Sequence, residues 1–355
     1  DGTLMHSMEL DLSDKIRSFL IEKNKDLLFD ELSERFLESG NLKDILTGIP
    51  VPITGDATDN FTNLTIAMGM ARVIGADPDF RYAEAYRACL RRMYGENAEK
   101  VLISEGAKAG GSGDYEMACI YFRTALQLNP GSRDALYLYG RACSDAYNRE
   151  NLEEAYVGMF KAQAFDIFEE LTIRHPDFDM GYYFLGYSYA NMGQYTKAQI
   201  TWQEFMELSR DRKEDADSSM DPIPADEMQE MREEIGNRLE SMEQAVEIEH
   251  AVNRILSGDF QHGIDVLSLY EEKYSEWWPL WYYLGVAYAG MEQGEQSVEA
   301  YKHALRLSPS NIQVMTELVE VFQSLGDWKN AEKYIEKIRV VQKGMEEEAR
   351  EQNEE

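Results

Sequence analysis

Along most of this chain apolar residues recur at steps of three and four, the spacing that predicts amphipathic helices. Three stretches are alike: Gly113 to Pro130 (GDYEMACIYFRTALQLNP), Tyr182 to Ala198 (YYFLGYSYANMGQYTKA) and Trp281 to Tyr301 (WYYLGVAYAGMEQGEQSVEAY). Each sets small residues against large aromatics at helical spacing. After the second, Ser209 to Glu227 turns polar, with Asp, Ser and two prolines, and reads as a solvated loop. Met228, Met231, Ile235, Leu239, Met242 and Val246 then form one apolar stripe. It predicts a helix from about Asp226 to Ser257, roughly 48 Å long. The first 95 residues are less regular. Ser13 to Ser39 predicts helix in two pieces, and Ile49-Pro-Val-Pro-Ile53 must be extended, because X-Pro steps disfavour helix. Thr54 to Asn60 reads as a polar loop. Phe61 to Ile74 and Phe80 to Tyr94 read as a helical hairpin broken at Asp77-Pro78. Asp1 to Ser7 is set aside as a frayed end.

A register connects these stretches. A small residue recurs at Gly106, Gly140, Gly186, Ala251 and Gly285, with Val319 in the last place; the steps are 34, 46, 65, 34 and 34. Further on, a large apolar residue recurs at Phe122, Trp202, Leu267, Tyr301 and Ile335. Gly113, Gly193, Gly258 and Gly326 occupy the turn between, where glycine tolerates a left-handed backbone. Ala118, Ala198 and Ala331 share a further place, and Pro130, Pro176 and Pro309 close three of the units. This pattern resembles the tetratricopeptide repeat, a helix–turn–helix unit of 34 residues. The resemblance implies an all-α fold: a right-handed superhelical solenoid of antiparallel helix pairs, with an N-terminal helical cap.

Two units depart from the period. In the second, Asn151-Leu-Glu-Glu154 reads as a capped helix start, Ala155 takes the alanine place, and the helix would run from Asn151 to Arg174 with its outer end projecting. Between the third and fourth lies the acidic insert. The expected organisation is residues 1–97 as a helical cap with a degenerate hairpin, 98–210 as three units, 211–227 as an acidic linker, 228–343 as the long helix with three units, and 344–355 as an acidic tail.

Charge narrows the function. Lys and Arg number 35 against 66 Asp and Glu, a balance of −31. That argues against nucleic acid and against anionic membranes, both of which call for cationic surfaces. Residues 211–249 hold 14 acids and 4 bases, so a basic partner would find its place on the linker and on the tail. The three cysteines, Cys89, Cys119 and Cys143, form no CxxC pair, which suits a reducing, cytoplasmic setting. The five histidines show no metal-ligand spacing, and Gly110-Gly-Ser-Gly113 lacks a following Lys-Ser/Thr and a preceding strand, so it is a turn. No catalytic residue, metal or cofactor is expected, and the chain reads as a non-enzyme.

What remains is binding. The resemblance implies a concave groove lined by the first helix of each pair, with Tyr137, Arg141, Tyr183, Tyr187, Val252, Tyr282 and Val286 facing a protein or peptide. Tyrosines in such a wall bury partner side chains at low entropic cost. Two competing expectations stand beside this: the groove is covered by the chain's own insertions, or the long helix presents a seam for a homodimer. The Lys/Arg and Asn pattern of repeats that clamp chaperone C-termini is lacking here, so that activity is not carried over.

Overall fold

The protein is described by a computed structural model covering residues 12–53, 62–213, 215 and 217–354. The expected frayed end at Asp1 to Ser7 and the polar loop at Thr54 to Asn60 lie outside the described residues. The chain divides into two compact units, Asp1–Gly236 and Asn237–Glu355.

The first unit opens with short elements: α1 (Arg17–Glu22), β1 (Leu28–Asp30), α2 (Glu34–Ser39), α3 (Lys43–Leu46) and β2 (Val51–Ile53). The extended Ile49–Ile53 segment is present, but the two helical pieces expected over residues 13–39 are separated by a strand. Pro50 and Pro52 hold residues 49–53 extended, and β1 pairs antiparallel with β2, Phe29 facing Pro52. The hairpin follows as α4 (Asn63–Ala76) and α5 (Ala83–Tyr94).

Paired helices then succeed one another: α6 (Ala98–Gly111) with α7 (Tyr115–Leu128), α8 (Arg133–Tyr147) with α9 (Glu154–Arg174), and α10 (Asp179–Asn191) with α11 (Tyr195–Leu208). Helix α12 (Ala225–Leu256) starts in the first unit and runs into the second, which pairs its later part with α13 (Phe260–Ser268), α14 (Trp278–Gly290) with α15 (Gly294–Leu307), and α16 (Ile312–Ser324) with α17 (Trp328–Glu354). This is an all-α repeat of antiparallel pairs resembling a tetratricopeptide solenoid, preceded by N-terminal helices. Side-chain caps start several helices: Asp114 accepts from the Met117 amide, Ser132 from Ala135 and Asn311 from Val314. The turn glycines Gly113, Gly193, Gly258 and Gly326 all have positive φ.

The small-against-aromatic pattern is the packing rule of the pairs. A Cβ on Gly106 would sit 2.4 Å from the Phe122 ring, on Gly186 2.1 Å from Trp202, and on Gly285 2.5 Å from Tyr301. Glycine lets the second helix lay an aromatic ring on the backbone of the first. In the second pair Gly140 meets Phe168 at 2.6 Å. Counting back one helical turn from Phe168 puts the alanine place at Ala164, which is 2 % exposed, and not at Ala155, which lies on the surface. Asn151 is not the cap either: its φ is +60°, and the helix begins at Glu154 after Glu153. The extra residues lengthen the start of α9.

Those extra turns do not project freely. Tyr156 stacks on Phe160 with centroids 4.2 Å apart, and Phe19 of α1 meets Tyr156 edge-on at 5.1 Å. The Lys15 amide donates to Gln163 Oε1 at 2.8 Å, and the Lys15 ammonium pairs with Asp166. The segment around α1 crosses further elements: Asp14 accepts from Arg123 Nη2 at 2.7 Å, Arg17 pairs with Asp79, and Asn24 Nδ2 donates to Arg72 O at 2.9 Å. Helix α4 departs from a degenerate repeat too. It lies on α7: Thr124 Oγ1 donates to Ala71 O at 2.7 Å, and a Cβ on Gly75 would strike Ile120 O.

The apolar stripe of α12 is used within the chain. Met228, Ile235, Met242 and Val246 are buried, while Met231 and Leu239 are half-buried, so the stripe is not left exposed as a seam.

Cys119 and Cys143 approach to 3.8 Å between α7 and α8, and all three cysteines are free and buried. Burial pushes the Cys89 thiol up to about 12 and Cys143 well above its ordinary value. An aromatic disulfide reagent at pH 8 is therefore expected to titrate almost no thiol in the native protein and three after denaturation. Rapid native labelling would show that these helices open readily.

Candidate partner-binding groove

The helix-A face of the first unit holds a cavity of about 990 Å³. Ile103 and Ala107 of α6, Tyr137, Leu138 and Arg141 of α8, Asp179 and Met180 of α10, and Met228 and Arg232 of α12 form its walls. First helices of successive pairs thus build one lining. A further wall comes from the insert between α11 and α12, through Ser218–Pro224.

Tyr137 is nearly buried, edge-on to Phe178 at 5.2 Å and tilted to Phe184 at 5.8 Å. Burial pushes its phenol up to about 12. The Arg141 guanidinium lies over the Tyr137 and Phe184 rings at 5.6 and 5.7 Å and makes no ion pair among the described residues. Such cation–π seating fixes an arginine while leaving its charge in the cavity.

Tyr183 and Tyr187 sit further along. They meet edge-on at 5.2 Å, and both phenols donate to the Glu234 carboxylate of α12, Tyr183 at 3.4 Å. Burial first, and then Glu234, raises the Tyr187 phenol above its usual range. Tyr187 also packs on Trp202, whose indole donates to Tyr183 O at 3.0 Å. The structure therefore brings Tyr137 and Arg141 together at the cavity, and Tyr183 with Tyr187 under α12.

Val252, Tyr282 and Val286 belong to the second unit. Val252 and Val286 pack, partly buried, against the core around Ile248, Leu267 and Leu284. Tyr282 is buried beside Trp278, Tyr283 and Tyr301, and its hydroxyl accepts from Gln313 Nε2 at 3.1 Å.

Apart from Arg141, the sequence reading missed the polar half of the cavity. Arg133, Arg141, Arg210, Arg212, Lys213 and Arg232 line it, against Asp177, Asp179, Asp211, Asp215 and Asp221. In a chain of net charge −31, a cavity with a small cationic excess stands apart. Arg133 pairs with Asp215 at 2.8 Å, and lies over the Phe178 ring. Arg212 lies 3.5 Å from Asp179, whose carboxyl burial raises despite that charge. Arg232 donates to Met206 O at 2.8 Å and to Ser209 Oγ. Arg133 and Asp215 meet there from distant parts of the chain, so no local sequence pattern links them.

Comparison with known proteins agrees on the repeat. A family model described as the tetratricopeptide repeat matches residues 110–132, 181–212 and 279–311. These stretches fall on α7, on α10 with α11, and on α14 with α15. No curated protein matches. Among solved structures, YrrB, described as a TPR protein with an unusual peptide-binding site, is 16% identical with a TM-score of 0.31, over 64% of this chain and 96% of that one. The TPR2AB domain of yeast Sti1, described as a complex with pHSP90, is 12% identical with a TM-score of 0.30, over 73% and 97%. MamA from Desulfovibrio magneticus RS-1 is 16% identical with a TM-score of 0.26, over 69% and 96%. These superpositions are loose, and the functional reading rests on the chain's own residues.

Among the described residues no group of three or more His, Cys, Asp or Glu could hold a metal ion, and no helix is long and apolar enough to cross a membrane.

Proposed function

We propose that this protein is a non-enzymatic interaction scaffold that takes an extended segment of a partner protein along the helix-A face of its first unit. The supporting observation is the cavity of about 990 Å³, lined by first helices of successive pairs with the Tyr137–Arg141 stack in its wall. Repeats of this kind use such faces as extended binding surfaces. A buried tyrosine and a seated arginine are the residue types that dominate interface energetics. A cytoplasmic location goes with this reading, since three free, buried thiols suit a reducing compartment.

A benzophenone side chain placed at position 138 or 229, both in the cavity wall, should cross-link in cells to one and the same protein partner. The same group at position 323, exposed on the second unit, should not. Equal yields from all three positions would refute the groove.

A further inference from the structure

The insert between α11 and α12 lies across the cavity through specific bonds. Asp134, buried in the first turn of α8, accepts from Ser218 Oγ at 2.9 Å and from the Ser219 amide at 2.7 Å. Asp215 pairs with Arg133 on the same turn, and both the Asp217 amide and Arg133 hold its carboxyl below the usual range. Ser218 Oγ also accepts from the Met220 amide at 3.1 Å, which sets the local backbone. Pro222 and Pro224 then keep Asp221 and Ile223 away from helical geometry until α12 starts at Ala225. Met220 and Ile223 are half-buried, whereas Asp221, Pro222 and Pro224 stay exposed. The insert therefore covers the cavity without filling it.

We infer that this groove is a receptor for extended acidic, serine-bearing segments, and that the chain's own Asp215 and residues 217–224 are its resident occupant, which a partner segment of like chemistry must displace. The inference rests on the groove reading above and adds the class of ligand and the competition. Three features support it. The contacts made by the insert are those any peptide could make: a carboxylate on a guanidinium, and a hydroxyl and an amide on a buried carboxylate. None of the insert's described side chains at the site is fully buried, so its release opens no core. A tethered segment also competes at an effective concentration near the millimolar range, so weak contacts suffice to keep the groove closed.

The test uses a fluorescent peptide carrying the sequence of residues 213–226, KEDADSSMDPIPAD, and the full-length chain. Anisotropy is measured for the intact protein, for the variant D215A/S218A, and for D215A/S218A with R133A added. Loosening the insert at the exposed Asp215 and the half-buried Ser218 should tighten peptide binding at least tenfold over the intact protein, and adding R133A should return it to the intact level or weaker. A control peptide with its four aspartates replaced by lysine should not bind the loosened variant. Circular dichroism melting checks that each variant is folded. Equal affinity for intact and loosened proteins would overturn the competition, and no binding to a folded, loosened variant would overturn the acidic-segment class. In either case partner cross-linking from positions 138 and 229 would persist if the groove itself is sound, so the two failures are distinguishable.

Discussion

Replacing Gly186 by alanine is expected to destabilise the first unit by about 3 kcal/mol, at the upper end of overpacking costs. The added Cβ would lie 2.1 Å from Trp202 Nε1 and 2.2 Å from Cδ1. The indole cannot step aside. It is fully buried, its N–H is bonded to Tyr183 O, and Tyr187 rests on it edge-on. The two helices must part instead, which disturbs α10 and α11 together. Urea unfolding with hydrogen-exchange mass spectrometry should show the loss, with protection falling first in residues 179–208. Gly236→Ala supplies the contrast. Nothing lies within 4 Å of its added Cβ, and it stands inside α12, so helix propensity should stabilise by about 0.5–1 kcal/mol. If the two substitutions behave alike, the close approach of α10 and α11 is wrong.

A second large effect is expected at Asp14. Its carboxylate accepts from Arg123 Nη1 and Nη2 at 3.0 and 2.7 Å and from Arg17 Nε at 3.1 Å. Arg123 is 8 % exposed, and its remaining donors go to Gly75 O, Ala76 O and the Tyr139 hydroxyl. Asp14→Ala leaves that guanidinium buried without its counter-charge, a loss of about 3 kcal/mol, the lower end of the range because Asp14 is partly exposed. The pH dependence has a definite sign. Burial works to raise the Asp14 carboxyl, but the hydrogen bonds and charges of Arg123 and Arg17 outweigh it and hold the group below 3.8. Its contribution is therefore complete above the unfolded value and lost as pH falls through the lower folded value. The stability gap between the native protein and Asp14→Asn should be constant from pH 8 to 5 and shrink only below about pH 4. A gap that changes between pH 5 and 7 would assign the effect to another group.

The sequence made the repeat legible because its packing rule is local. A small residue on one helix and an aromatic ring on the next keep a fixed spacing, as Gly106 with Phe122 and Gly285 with Tyr301 show. The second pair was placed wrongly because a capping-box reading of Asn151 outranked the aromatic; Phe168 over Gly140 would have located Ala164. Strand β1 was not legible: three residues acquire strand geometry only from pairing with a segment about twenty positions on. The groove's aromatic side, Tyr137 with Arg141, was readable from repeat places, while its polar side was not. Arg133 and Asp134 gain meaning only when an insert some 80 residues away lies on them. That insert's acidity was assigned to an outside partner, although a cation within the same unit answers part of it.

The seat of the N-terminal segment on α9 also orders events in time. Repeat pairs close over a few tens of residues and can form as the chain emerges. Lys15 and Asp166 are separated by 151 positions. At bacterial or eukaryotic elongation rates that separation takes roughly eight to thirty seconds to synthesise. Throughout that interval Phe19 and the residues around it have no α9 to cover them, so a nascent chain presents this segment uncovered while its first repeats are already shaped. The ribosome exit and its attendant chaperones are the first surroundings this segment must be kept from sticking to, and a clone that slows translation of the stretch between Lys15 and Asp166 lengthens that exposure.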